Sequence, residues 1–346
     1  MPRRRGGEGP PLKPLNVGLI LLFTAAGLAA AWLARDVLLL GFLGLLIAVV
    51  LSFPVAWLSK VMSRGLALLM VLLVIVVATA TAAVRVAPTL VEQVEYVRAT
   101  APRSLESARQ WLRQKQGAAE AKKTEEQAKQ AVGKAGQAAV KAVFAFGSGV
   151  TVIVLVIALG AFLVHEPDAY RRGLRALVVP RHREKFDESW DRVAGSLRRW
   201  LGGILVSMTI MGTLTAVGLA AAGVKGWLLL GLLTFFGTFT PYVGALASAI
   251  PGLLVALGQS PRHMLLAMLV YLGVHIVEGY IVEPLVMKRA VEIKPALMLA
   301  FQATAGAVLG LMGTVVAVPL LVCIQELVKY LWVERVTTST SRASGG

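Results

Sequence analysis

Residues Gly226–Pro261 read GWLLLGLLTFFGTFTPYVGALASAIPGLLVALGQSP, 36 residues without one charged side chain. A helix needs about 20 mostly apolar residues to cross the hydrocarbon core of a bilayer. This run is too long for one crossing and too short for two full ones. Gly244 stands in its middle and Pro251 further on. A helical hairpin that enters the membrane and returns to its own side fits that length. Pro295–Gln325 repeats the pattern in 31 uncharged residues, with Gly313 and then Pro319. Non-helical backbone at such a tip is tolerated only where protein or a water-filled cavity surrounds it.

Outward from these two runs, the other apolar stretches are of ordinary spanning length. They are Leu15–Ala34, Val37–Leu58, Gly65–Val84, Val143–Val164, Leu201–Val224 and Met264–Val282. The chain of 346 residues is 57% apolar and only 16% charged, and its mean hydropathy is +0.72. A soluble domain carries about 25% charged residues. The composition therefore excludes an ordinary soluble enzyme and a disordered chain. The expected fold is an all-α polytopic membrane protein, with about six full transmembrane helices and two re-entrant hairpins. The expected division is 1–84 for the first three spans, 85–142 for an external helical segment, and 143–164 for the fourth span. An amphipathic cytoplasmic helix over 165–200 follows. A core over 201–335 holds the fifth helix, the hairpin 226–261, the helix 264–283 and the hairpin 295–330. A disordered tail, 336–346, closes the chain. The Arg-rich start before an apolar stretch resembles a secretory signal, but the stretch is long and more spans follow, so it reads as a retained anchor.

Charge orients the spans. With the N-terminus in the cytoplasm and both hairpins returning to their own side, 21 Lys and Arg fall in inside loops. The short outside loops hold only Arg35, Lys225 and Arg262. Were the first long run a single crossing, Lys288, Arg289 and Lys294 would lie outside. Cytoplasmic loops collect basic residues, so the hairpin arrangement is preferred. The net charge of +16 flanks apolar runs, as membrane orientation requires, and predicts a lipid bilayer partner and no nucleic acid. The segment Arg85–Lys141 falls outside the membrane; Val94, Val97, Ala101, Leu105, Ala108 and Leu112 recur there at helical spacing. Within 165–200, Phe186, Trp190, Val193 and Leu197 give an amphipathic helix with a basic face, suited to anionic lipid.

No GxSxG, Walker loop, HExxH or paired-carboxylate motif appears, so no enzyme activity, cofactor or metal is expected. Cys323 is the one cysteine, which excludes a disulfide framework. The chemistry sits in Tyr271–Glu283. An ionisable group inside a span is costly unless it faces protein or water. On a helical projection of about 100° per residue, His275 lies between Glu278 and Glu283, with Tyr271 and Gly279 on the same arc. Such a face binds a polar solute or relays a proton, although Glu283 also reads as a residue snorkelling to the interface. Pro241, Tyr242 and Gly244 at the first tip, and Gly310 and Gly313 at the second, are the other candidates. Apolar segments interrupted by Gly and Pro on either side of one span mark transporter binding sites. Both tips are expected to face Glu278. Ser207, Thr209 and Thr213 more often bond back to their own helix than line a pathway.

The order of these features resembles the AI-2E family of prokaryotic membrane transporters. The matching segments are Arg64-Gly-Leu-Ala, Ala87-Pro-Thr-Leu-Val-Glu-Gln93, and Pro241-Tyr-Val-Gly244 with Pro251. Further along come Glu278 followed by Val282-Glu-Pro-Leu-Val286, then Pro295, and Gly310-Leu-Met-Gly313 with Pro319. An Asn commonly follows the Glu in the family pattern, where this chain has Gly279; His275 and Glu283 are also departures. The resemblance implies export of a small polar solute, typified by the quorum-sensing signal autoinducer-2. Some relatives look like sodium/proton antiporters, which is the alternative reading. It further implies a multi-pass protein of the cell membrane and a ring-like homo-oligomer, with a pentamer expected. The Gly- and Ala-rich spans point to helix association independently.

Overall fold

The computed structural model describes residues 32–78, 150–282 and 293–333, isolated positions in 22–30 and 80–92, and Pro284. The readings of the external segment, of Glu283 and of the C-terminal tail lie outside the described residues. Among those residues every element is helical. In chain order they are α1 (Arg35–Leu58), α2 (Arg64–Ala78), α3 (Val150–His165) and α4 (Pro167–Ala176). Then follow α5 (Arg183–Ala221), α6 (Trp227–Thr238), α7 (Val243–Gln259), α8 (Pro261–Val277) and α9 (Pro295–Val328). A π-helical turn, Glu278–Val282, continues α8. Helices long and apolar enough to cross a membrane confirm an all-α, multi-pass membrane protein.

Local chemistry sets several of the ends. Ser260 accepts a hydrogen bond from the backbone N–H of His263, and Pro261 takes the first turn of α8, where its missing N–H costs nothing. α4 likewise opens on Pro167, with Asp168 near its positive end and Arg175 near its negative end. Arg171 reaches from α4 to Asp191 at 2.9 Å and to Asp187 at 3.3 Å, clamping this short helix against the start of α5.

α5 is the spine. The boundary expected between residues 200 and 201 is not a break, because one unbroken helix of 39 residues runs from the charged segment into the apolar one. Lipid is as apolar as leucine, so close packing and polar pairs, rather than hydrophobic burial, hold spans together. Small residues permit that packing. Gly44 of α1 abuts Leu159, and Gly160 of α3 abuts Ile47. α2 joins this group through Ala67, Leu68 and Val71, which pack with Leu51, Val55 and Val164. On the spine itself, Gly212 abuts Phe235 of α6, and Gly218 abuts Val270 of α8. The largest cluster joins Leu197, Trp200, Leu201, Ile204 and Met208 of α5 to Leu46 of α1 and to Met298, Val318 and Val322 of α9.

That cluster shows how α9 is shaped. A straight helix would hold Met298 and Val322 about 36 Å apart at 1.5 Å per residue, yet both lie in one buried cluster. A Cβ on Gly313 would strike the carbonyl of Ala305, and one on Gly306 would strike the hydroxyl of Thr314. All these pairs straddle Gly310, whose φ of 67° and ψ of −154° leave the helix for a region open to glycine. The chain therefore doubles back at Gly310, in two antiparallel arms. The first arm, 295–309, is about 22 Å long. A Cβ on Gly310 would meet nothing within 4 Å, so Gly310→Ala tests backbone strain alone. It is expected to cost about 1–3 kcal/mol and to lower the thermal unfolding transition in detergent. An unchanged transition would show that the turn does not depend on a left-handed residue.

α6 and α7 form a second pair of arms. Phe239–Tyr242 make its turn, and its far end is tied by α7 leading through Ser260 into α8.

Candidate functional site

The α6–α7 turn is a break in the helical backbone. The N–H of Thr240 bonds to the carbonyl of Gly237 at 2.9 Å, and that of Gly244 bonds to the carbonyl of Thr240 at 2.8 Å. Between them, the N–H of Val243 bonds to the carbonyl of Pro241 at 2.8 Å. Tyr242, at the centre of that three-residue turn, has φ 63° and ψ −54°. It is the one non-glycine residue with positive φ among the described residues. This is the rare and strained form of the γ-turn, and such a residue costs on the order of 1–3 kcal/mol. Tight approach holds it in place. Gly244 faces Gly237 so closely that a Cβ on Gly244 would run into the Gly237 carbonyl. Pro241, Tyr242 and Gly244 thus share one tight turn.

Two residues that sequence reasoning passed over complete this corner. Gln302, on the first arm of α9, is 2% exposed. Its Nε2 donates to the Pro241 carbonyl at 3.4 Å, and its Oε1 has no partner among the described residues. Trp200 of α5 is also 2% exposed. Its ring meets Phe239 edge-on, with centroids 5.9 Å apart at 76°, and its Nε1–H too lacks a partner among the described residues. One unmet acceptor and one unmet donor therefore flank the same strained turn. Gln302 carried a usable signal, being an amide within an uncharged run. Trp200 did not, because it stood where an interfacial aromatic belongs.

The carboxylate lies along the same spine. His275 Nδ1 and Glu278 Oε2 are 3.0 Å apart, and their side chains are 37% and 33% exposed. The expected pair is formed, where α8 gives way to its π-helical turn, a feature frequent at functional sites. A Cβ on Gly279 would meet nothing within 4 Å, leaving bare backbone beside the pair. Tyr271 goes elsewhere. It is buried, its hydroxyl donates to the Ser248 carbonyl at 3.3 Å, and Gly252 of α7 leaves room for its ring. Its role is to join α8 to α7. Val274 and Val282 pack on Met211, so Glu278 sits beside the stretch of α5 that begins at Trp200, about 16 Å of helix. Thr209 bonds back to the Leu205 carbonyl at 2.9 Å, the structural role expected of it.

The second tip meets the start of α1. Leu309, Val316 and Leu320 line a groove with Trp32, Arg35 and Leu38 at the start of α1. Residues on both sides of Gly310 and Gly313 thus lean on α1. Spacing along α9 fixes how far the tip reaches, while sideways packing decides which neighbour it meets.

Residues 21–332 match the family described as AI-2E family transporter. Three curated relatives each bear the name "Putative transport protein". YueF of Bacillus subtilis (strain 168) is 25% identical over 51% of this chain and 48% of its own length. YrrI of the same organism is 27% identical over 37% of this chain and 36% of its own length. MT0215 of Mycobacterium tuberculosis (strain CDC 1551 / Oshkosh) is 34% identical over 33% of this chain and 31% of its own length. The aligned part spans less than half the length of each relative.

Proposed function

The chain belongs to the AI-2E family of membrane transporters, and from that premise we propose that it exports a small polar solute of the autoinducer-2 type. The observation that carries the reading is the unmet pair of Trp200 Nε1–H and Gln302 Oε1 beside the broken helix at Pro241–Tyr242. A polar group left unsatisfied within a membrane protein costs several kcal/mol. A solute bearing hydroxyl or carbonyl groups relieves that cost by accepting from the indole and donating to the amide. Broken helices offer such contacts without a charged side chain. The His275–Glu278 pair then supplies the protonation change that couples solute release to proton movement. Sodium/proton antiport draws on the same pair and is the competing reading.

In this proposal both hairpins re-enter the face they left, the N-terminus and the 165–200 segment are cytoplasmic, and copies of the chain associate as a ring in the cell membrane. The exposed apolar stripe of Leu265, Met268, Leu269, Leu272 and Ile276 on α8 gives such copies a surface to pack on. Thiol labelling of Lys185→Cys only from the cytoplasmic side is the expected topology result; labelling from outside would reverse it.

The decisive experiment is a solute panel in proteoliposomes of both orientations, with and without proton and sodium gradients. Gln302→Met and Trp200→Phe should each lower transport of the accepted solute by about fivefold or more, as a solute group left without its partner at a cost of about 1–3 kcal/mol requires. Sodium movement without any organic solute would favour the antiporter. Unchanged transport by both variants would remove the proposed site.

A further inference from the structure

The groove between α1 and the tip of α9 has the chemistry of a lipid site. Its volume is about 400 Å³, and it is lined by Trp32, Arg35, Leu38, Leu39, Phe42, Leu309, Val316 and Leu320. Seven of these are apolar or aromatic, and Arg35 is the single charge. Around it Leu33, Val37 and Leu311 are exposed, so the groove opens on an apolar surface that in a membrane faces acyl chains.

Arg35 lies at the end of α1, where a guanidinium stays near the headgroup level while its stem runs along apolar surface. Its Cζ stands 4.5 Å from the centroid of the Trp32 ring, and Trp is itself a residue of that level. Its counter-ion among the described residues is weak. Asp36 is 3.8 Å away with a side chain 83% exposed, and an exposed pair of that length contributes little. A planar guanidinium suits a phosphate, which it binds through two parallel hydrogen bonds. An apolar trough with one such cation at its end complements a molecule with an anionic phosphate and a long hydrocarbon chain.

We propose that this groove binds an anionic phospholipid, with one acyl chain between α1 and α9 and its phosphate on Arg35. One wall, α1, is packed into the α1–α3 cluster through Gly44. The other wall is the tip that turns at Gly310. A lipid held between them ties the tip to α1, so its occupancy regulates how freely that hairpin moves. This inference is independent of which solute is carried.

The test uses the full chain, delipidated in mild detergent, with native mass spectrometry as the readout. The probes are phosphatidylglycerol and phosphatidylcholine of equal chain length, dihexanoyl phosphatidylglycerol and inorganic phosphate. Long-chain phosphatidylglycerol should be retained at least about tenfold better than phosphatidylcholine, a difference of roughly 1.4 kcal/mol. Arg35→Gln should erase that preference, and Arg35→Lys should keep part of it. Leu309→Trp, which fills the trough, should weaken both lipids together. Equal retention of the two lipids by the unaltered chain would overturn the proposal, as would undiminished preference in Arg35→Gln. Displacement by phosphate or the short-chain lipid as readily as by the long-chain one would show an anion site without a chain site, and would overturn it too. Uptake confined to the monomer would show that a second copy covers the groove, with the same consequence.

Discussion

Glu278→Gln is expected to fold, to assemble as the unaltered chain does, and to lose its response to a proton gradient. The amide keeps the shape of the carboxylate and can still meet His275 Nδ1, which stands 3.0 Å from Glu278 Oε2. What disappears is the ability to gain and lose a proton, and with it the charge that a transport cycle can exploit. Hydrogen bonds to charged groups are worth about 1.5–3 kcal/mol, against about 1 for neutral ones. A difference of about 0.5–2 kcal/mol changes populations of two states by roughly two- to thirtyfold. Solute flux driven by a pH gradient in proteoliposomes should therefore fall by a factor in that range, while flux down a solute gradient alone falls less. His275→Gln gives a second reading of the same pair, since it removes the other titratable partner. Full, normally pH-dependent transport by Glu278→Gln would reduce the carboxylate to a packing residue and take the antiporter reading with it.

What was legible in the sequence was whatever depends on spacing along one helix. The run Val37–Leu58 is α1 to within two residues, and the uncharged runs at 226–261 and 295–325 each hold a break in the helical backbone. Length without charge, broken by Gly, is a one-dimensional signal, and Gly310 answers it with a positive φ. The His275–Glu278 pair, one helical turn apart, was legible for the same reason. What was not legible depends on neighbours. The charged and apolar halves of α5 looked like two elements because charge marks where the membrane begins, not where a helix ends. Tyr271 shares an arc with His275, yet it bonds to Ser248 of α7. Nothing in the spacing of α9 states that its tip meets Trp32 and Leu38. Trp200 and Gln302 acquire meaning only when three separate elements bring them to one turn. The pairing of an unmet donor with an unmet acceptor is a fact of packing.

Gly244 is the position where substitution should do most damage to the fold. A pathway-lining glycine would tolerate a larger side chain structurally and lose transport by obstruction. The geometry calls for a different outcome. The nearest atoms to a Cβ on Gly244 are the carbonyl oxygen, carbonyl carbon and Cα of Gly237, all backbone, and the reverse contact holds for a Cβ on Gly237. No rotamer change relieves such a clash, so α6 and α7 must separate. Separation would stretch the 2.8 Å bond from Gly244 N–H to Thr240, free the strained turn at Tyr242, and pull Phe239 from its edge-on contact with Trp200. Overpacking in a tight interior costs about 1–3 kcal/mol and sometimes more, and breaking the turn adds to it. Gly244→Ala should already lower the unfolding transition in detergent, and Gly244→Leu should yield little folded protein and no transport of any solute at any pH. Gly279→Ala is the matched control, because its Cβ enters open space; it should melt within a few degrees of the unaltered chain. If Gly244→Ala melted with that control, the two backbones would have room to yield. The close approach of α6 to α7 would then not be what holds the turn.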